Sequence, residues 1–126
     1  MDFTIMFAGE AGQGVATIGM VLARTLARGG YHIFAHQDYE SRIRGGHNFF
    51  QVRIADRPIY AQQEQLGLLV ALNQDSIDRH QGEIAPEGGI VYDGERTKRE
   101  GSSLLSIPLE KLALEKGGSR LTSNVV

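Results

Sequence analysis

The sequence predicts an α/β domain in three layers, α/β/α, with a mostly parallel sheet flanked by helices. Three observations carry that expectation. Short apolar or β-branched runs alternate with segments whose apolar residues recur every three or four positions. Pairs of glycines fall where one pattern gives way to the next, as punctuation between elements. One run, GLLVAL at 67–72, is apolar throughout, as a strand covered on both faces by helices has to be.

Residues 3–8, FTIMFA, form the first predicted strand, and the glycine turn GEAGQG follows it. From there Val15, Ile18, Leu22 and Leu26 share one helical face, while Ala16, Gly19, Ala23 and Ala27 are small enough to let the helix lie close to a sheet. Gly29-Gly30 ends that helix, with a left-handed cap expected. Residues 31–36, YHIFAH, read as a second strand, so the crossover between the two strands is expected to be parallel and right-handed. FFQVRI at 49–54 alternates in part, the pattern of a strand with one wetter face, and Asp56-Arg57-Pro58 turns the chain. GLLVAL then belongs near the sheet centre. Asn73 or Asp75 is placed to cap a short helix running to Ile84, and Gly88-Gly89 lead into a strand at 90–92. A further short strand is predicted at 104–108 and a helix at 109–116, closed by Gly117-Gly118. The final SRLTSNVV has capping residues followed by two valines, which predicts the opening of another helix and a domain truncated at its C-terminus. A frayed tail is the alternative.

Composition narrows the function classes. The 126 residues fit one domain, which buries roughly two thirds of its unfolded surface. With 13 basic against 15 acidic side chains, the net charge of −2 gives no electrostatic footprint for nucleic acid. There is no cysteine, which excludes disulfides, thiolate nucleophiles and cysteine-ligated iron–sulfur clusters in this chain. No apolar run reaches the ~20 residues that span a bilayer, and acidic Asp2 sits where a signal peptide carries basic residues. A cytoplasmic protein is expected.

Two stretches carry possible chemistry. GEAGQG puts Gly9, Gly12 and Gly14 between a strand and a helix N-terminus, where free N–H groups and the helix dipole favour a phosphate or carboxylate. The spacing is not that of the dinucleotide fingerprint, and no Lys-Ser/Thr follows the last glycine. Asp38 lies at about the distance of a ribose-binding acid but inside the next motif. A tight structural turn and an anion site both stay open. In DYESRIRGGHN, Arg42 and Arg44 project to one side of an extended segment, matched to bidentate contacts with a carboxylate or pyrophosphate, and Gly45-Gly46 add backbone donors. Pairing of the arginines with Asp38, Glu40 or other acids, or with a partner chain, is the competing reading. His47 has no second ligand at metal spacing, and His32, His36 and His80 are scattered, so the histidines read as structural. Thr17, Ser41 and Ser76 lack an evident activating partner. Neither a catalytic residue nor a metal site is predicted in this chain.

Together, Gly9-Glu10-Ala11-Gly12-Gln13-Gly14-Val15 opening a small-residue helix and Tyr39-Glu40-Ser41-Arg42-Ile43-Arg44-Gly45-Gly46-His47-Asn48 after the second strand resemble the gamma domain of 2-oxoacid:ferredoxin oxidoreductases. The likeness covers essentially the whole chain, includes VALNQDSIDRH as a third segment, and is greatest to chains in which gamma is fused ahead of an alpha, pyrimidine-binding-type domain, as in 2-oxoglutarate enzymes. Two departures are Gly67, where the family often has an acid, and the end at Asn124-Val125-Val126, beyond which the family has a further helix. The resemblance implies a Rossmann-like fold and an accessory domain, inactive alone, of an enzyme that oxidatively decarboxylates a 2-oxoacid to an acyl-CoA. It implies alpha and beta thiamine-binding domains or subunits as partners, with ferredoxin reached through other subunits. Thiamine diphosphate and iron–sulfur clusters would sit in those other domains. It also implies coenzyme A access or binding, for which Gly9, Gly12, Gln13, Gly14, Arg42, Arg44, Gly45 and Gly46 are the candidate residues. A free-standing nucleotide- or CoA-binding module and a pure interface domain are the alternatives.

Overall fold

The computed structural model describes residues 1–40, 46–95, 104–120 and 123–126. In chain order the elements are β1 (Asp2–Glu10), α1 (Val15–Arg28), β2 (His32–Tyr39), β3 (His47–Ala55), β4 (Leu66–Ala71), α2 (Gln74–His80), a 3-10 turn (Gln81–Glu83), β5 (Ile84–Tyr92), β6 (Leu104–Ser106) and α3 (Leu109–Gly117). The strands form one sheet in the order β2-β3-β1-β4-β5-β6. β1, β4, β5 and β6 pair in parallel, whereas β3 runs antiparallel to both β1 and β2. The mostly parallel α/β sheet expected from the pattern is therefore present.

The first crossover differs from the simplest expectation. β1 and β2 do point the same way, but β3 lies between them. The β2–β3 connection is short, so hairpin pairing is entropically cheap, and β3 then bonds β1 along its other edge.

Strand alternation divides the core. On one face Phe50, Val52 and Ile54 of β3 meet Val15, Ala23 and Leu26 of α1. On the other, Met6 and Ala8 of β1 join Leu69 and Ala71 of β4, Ile77 of α2 and Ile90 of β5. Helix α1 comes very close to the sheet. A Cβ at Gly19 would lie 2.2 Å from Phe50 Cδ1, so the absent side chain is what lets the Phe50 ring seat under the helix. Burying such a ring contributes about 2 kcal/mol.

The ends of the helices follow their sequence signals. Tyr31 N–H donates to Leu26 O at 3.2 Å and Gly30 N–H to Ala27 O at 3.1 Å, with Gly30 at φ 92°. This is the paired, left-handed cap expected at Gly29-Gly30. Asn73, rather than Asp75, caps α2: its Oδ1 accepts from Ser76 N–H at 3.0 Å. α2 stops at His80, not at Ile84, because Ile84 already pairs with Leu66 as the first residue of β5. The register then jumps, Leu68 opposing Gly89, so residues 85–88 bulge out of the strand.

Two further expectations are modified. β4 is central, as predicted, but is fully covered on one face only: Leu66, Leu69 and Ala71 are buried while Leu68 and Val70 are half-buried. Helix α1 packs over β1, β2 and β3, which leaves an apolar groove of 370 Å³ beside it, lined by Phe7, Ile18, Leu22, Val70, Val91 and Val126 among others. Ser123 to Val125 form a turn rather than a helix opening, and Leu121 and Thr122 lie outside the described residues. At Gly67 a Cβ would meet the Phe3 ring at 2.2 Å, so in this packing an acid there would displace that ring. Among the described residues no helix is long and apolar enough to cross a membrane.

Candidate functional site

The sheet topology creates a crevice. After β1 the chain enters α1 on one face; after β4 it enters α2 on the other. The C-terminal ends of adjacent β1 and β4 are thus a switch point, the place where open α/β sheets bind ligands.

The glycine turn sits there, and its glycines do different things. Gly12 (φ 92°) and Gly14 (φ 73°) occupy the left-handed region. A Cβ at Gly9 would lie 2.5 Å from Gln13 Oε1, because the Gln13 side chain folds back over it. Gln13 Oε1 accepts from Glu10 N–H at 2.7 Å and Gln13 Nε2 donates to Leu72 O at 3.4 Å, so one carboxamide ties β1 to the end of β4. Gly14 is the N-cap residue of α1, and among the described residues no side chain caps this helix. Its first N–H groups and positive dipole end are left for water or an anion.

The second predicted stretch arrives at the same end of the sheet. It connects the antiparallel pair β2–β3, and His47 at the start of β3 pairs with Glu10 at the end of β1. Ala11 N–H donates to Gly46 O at 3.0 Å, joining the glycine turn directly to the end of the second motif. Gly9, Gly12, Gln13, Gly14 and Gly46 are therefore together; Arg42, Arg44 and Gly45 lie outside the described residues.

The neighbouring cavity has the opposite character. It measures 250 Å³ and is lined by Glu10, Gln13, Asp93, Glu110, Arg120 and Asn124 among others. Asp93, 4% exposed, accepts from Glu95 N–H at 3.0 Å and from Glu110 N–H at 2.9 Å, so a carboxylate already occupies the start of α3. Arg120 is paired with Glu110 at 2.5 Å. Glu10, Asp93 and Glu110 therefore disfavour an anion within this cavity, which Gly12 and Gln13 of the turn also line.

A cluster that sequence reasoning missed fastens the second motif to α2. Arg79 reaches Glu40 at 2.7 Å and Asp75 at 2.8 Å, and those hydrogen bonds hold its guanidinium protonated beyond the ordinary range. His47 Nε2 lies 2.7 Å from His80 Nε2, and both rings are buried. His80 Nδ1 faces Glu83 Oε2 at 3.1 Å, and His47 Nδ1 has Asp75 Oδ2 at 3.8 Å. Burial, then the neighbouring His80 and Arg79, lower the pKa of His47 from its usual value. The two histidines are 33 residues apart, and nothing in their spacing announces the pair. Among the described residues no group of three or more His, Cys, Asp or Glu side chains is arranged to hold a metal.

These features define a class: a three-layer α/β domain that gathers a glycine turn, the connection of a strand hairpin and the helix after β4 at one end of its sheet. Residues 4–126 match the family model described as pyruvate ferredoxin/flavodoxin oxidoreductase, and the chain belongs to that family. It is 26% identical over 132 residues to the 2-oxoacid:ferredoxin oxidoreductase subunit alpha of Saccharolobus solfataricus, an alignment covering 100% of this chain and 21% of that subunit. A solved structure of 2-oxoglutarate:ferredoxin oxidoreductase from Magnetococcus marinus, with 2-oxoglutarate, coenzyme A and succinyl-CoA bound, superposes with a TM-score of 0.87. It is 25% identical, and the match covers 98% of this chain and 22% of that one. The gamma subunit of the keto/oxoacid ferredoxin oxidoreductase from Geobacter sulfurreducens shares the fold, with a TM-score of 0.81 at 22% identity over 99% of this chain and 71% of that subunit. The chain spans about a fifth of the length of the first two relatives.

Proposed function

We propose that this chain is the gamma-type accessory domain of a cytoplasmic 2-oxoacid:ferredoxin oxidoreductase, contributing to assembly and to coenzyme A binding without turnover of its own. In this reading thiamine diphosphate, iron–sulfur clusters and the ferredoxin contact belong to alpha and beta partner domains. A chain with no cysteine has no thiolates to ligate a cluster.

The observation that supports the coenzyme A assignment is the 3.0 Å bond from Ala11 N–H to Gly46 O, which joins the glycine turn to the end of the second motif beside the N-terminus of α1. Coenzyme A carries a pyrophosphate and a 3′-phosphate. Backbone N–H groups at the start of α1 suit the first by direction and dipole, and Arg42 and Arg44 suit either by bidentate hydrogen bonding. Glu10, Asp93 and Glu110 make the cavity beside the turn unfavourable for phosphates, so in this reading the phosphates lie against the N-terminus of α1. Gly12 leaves the backbone open to close approach, whereas Gln13 acts by holding the turn in shape and Asn124 packs over Gly14.

The test is the double substitution Arg42→Ala/Arg44→Ala in the assembled enzyme. Loss of two charge-assisted contacts is expected to raise the KM for coenzyme A by at least about tenfold, with subunit assembly unchanged. An unchanged KM in an intact complex refutes the assignment.

A further inference from the structure

The contact between His47 and His80 constrains where protons sit. Two nitrogens 2.7 Å apart share one hydrogen, since two N–H groups facing each other at that distance would collide. Glu83 accepts and does not donate, so His80 carries a hydrogen on Nδ1, and in its neutral form its Nε2 is an acceptor. His47 Nε2–H then donates to it, which leaves His47 Nδ1 bare. The structure agrees: His47 Nδ1 is buried and has no hydrogen-bond partner among the described residues.

One more proton has a place to go. On His47 Nδ1 it faces the Asp75 carboxylate, 3.8 Å away, and the chain Asp75–His47–His80–Glu83 then holds a single positive charge between two carboxylates with its central bridge intact. A second extra proton has no such place, because it must occupy the bridge itself.

We propose that His47 and His80 form a one-proton latch: the pair accepts one additional proton with its bridge intact, and the next proton breaks the tie between the start of β3 and the end of α2. The latch lies beside Gly46, so opening it frees the end of the second motif from α2, whatever that motif binds. Around it lie Asp75 and Arg79 of α2, Glu83 of the 3-10 turn, Glu40 at the end of β2, His36 of β2, and Glu64 between β3 and β4. The Phe49 ring, 6.4 Å from His47 and 5.4 Å from His80 between ring centroids, shields the pair. Burial and the nearby Arg79 disfavour charge at this pair, and once His47 is protonated its own charge acts against a second one on the facing ring.

The sign follows by linkage. Both rings protonate in the unfolded chain as pH falls through the ordinary histidine value of 6.5, but the fold accepts one proton fewer. Stability from the latch is present above that value and is lost as pH falls below it. The test is an imidazole ¹⁵N titration of the full chain together with urea unfolding between about pH 7.5 and pH 5, above the carboxylate range. The two rings are expected to bind one proton between them. As pH falls below the ordinary histidine value, the unfolding equilibrium constant should then rise with a slope that approaches about tenfold per pH unit, with amide exchange at His47 accelerating at the acid end of the window. His80→Gln should remove most of the slope. Two protons bound by the folded pair in that range, or a slope unaltered in His80→Gln, overturns the latch. If that variant fails to fold, the wild-type titration decides alone.

Discussion

The two ends of the sheet are built on opposite plans. At the end where β1 begins, charge is matched to charge. Asp2 takes a bidentate contact from Arg53, at 2.9 and 2.7 Å, and a third from Arg57 at 2.9 Å, while the N-terminal ammonium reaches Asp56 at 2.7 Å. Arg53 also donates to Ala61 O at 2.9 Å, pinning the chain between β3 and β4 over the sheet. At the end where β1 finishes, the ties of the glycine turn itself are neutral, and among the described residues no side chain caps α1. The carboxamides of Gln13 and Asn124 and a backbone bond to Gly46 hold the turn, while the ion pairs of Arg79 with Glu40 and Asp75 and of Arg120 with Glu110 lie outside it. An end closed by ion pairs has little left for a ligand. An end closed through amides keeps its helix dipole free to attract one.

The largest effect on that comparison is expected from the glycine turn. Gly12 and Gly14 both adopt positive φ, but a Cβ at Gly12 would meet no described atom within 4 Å, whereas one at Gly14 would lie 2.3 Å from Asn124 Nδ2. Gly12→Ala should therefore cost only the backbone penalty, about 1 kcal/mol in urea unfolding. Gly14→Ala adds displacement of Asn124 and should cost about 2–3 kcal/mol. Placed in an Asn124→Ala background, Gly14→Ala should fall back toward the Gly12→Ala cost. Equal costs for the two single variants would show that Asn124 does not brace the turn.

How much of this was legible differs between local and distant features. Strand, glycine turn and small-residue helix were readable because each depends on neighbours in sequence: φ at Gly12 and Gly14, the cap at Gly30, the absent side chain at Gly19. Strand order was not, because insertion of β3 between β1 and β2 is decided by which edges bond once the hairpin has formed. The half-covered face of β4 escaped for a related reason. GLLVAL is apolar on both sides, but composition does not say which helix arrives to cover each. That the end of the second motif, at Gly46, lies against the glycine turn was legible too, while Arg42, Arg44 and Gly45 lie outside the described residues. The His47–His80 pair was not, since a single sequence gives no sign that β3 and α2 meet.

The smallest and cleanest test separates the two ends by pH. Hydrogen bonds from Arg53, assisted by its charge and that of Arg57, hold Asp2 below the ordinary aspartate value of 3.8, and the N-terminal ammonium does the same for Asp56. For an acid with a depressed folded pKa, the stabilisation is present above 3.8 and is lost as pH falls below it toward the folded value. The closed end should therefore register only in the acid limb, while the latch registers below the ordinary histidine value of 6.5. Arg53→Met, which keeps the aliphatic stem but removes the guanidinium, should flatten the urea midpoint profile below 3.8 and leave the upper step intact. His80→Gln should do the reverse. If Arg53→Met altered the upper step, the ends would be coupled through β3, whose first residue is His47 and which carries Arg53 near its other end. Independence of the two steps would instead establish that the ion-paired end anchors the sheet without setting the protonation of the opposite end.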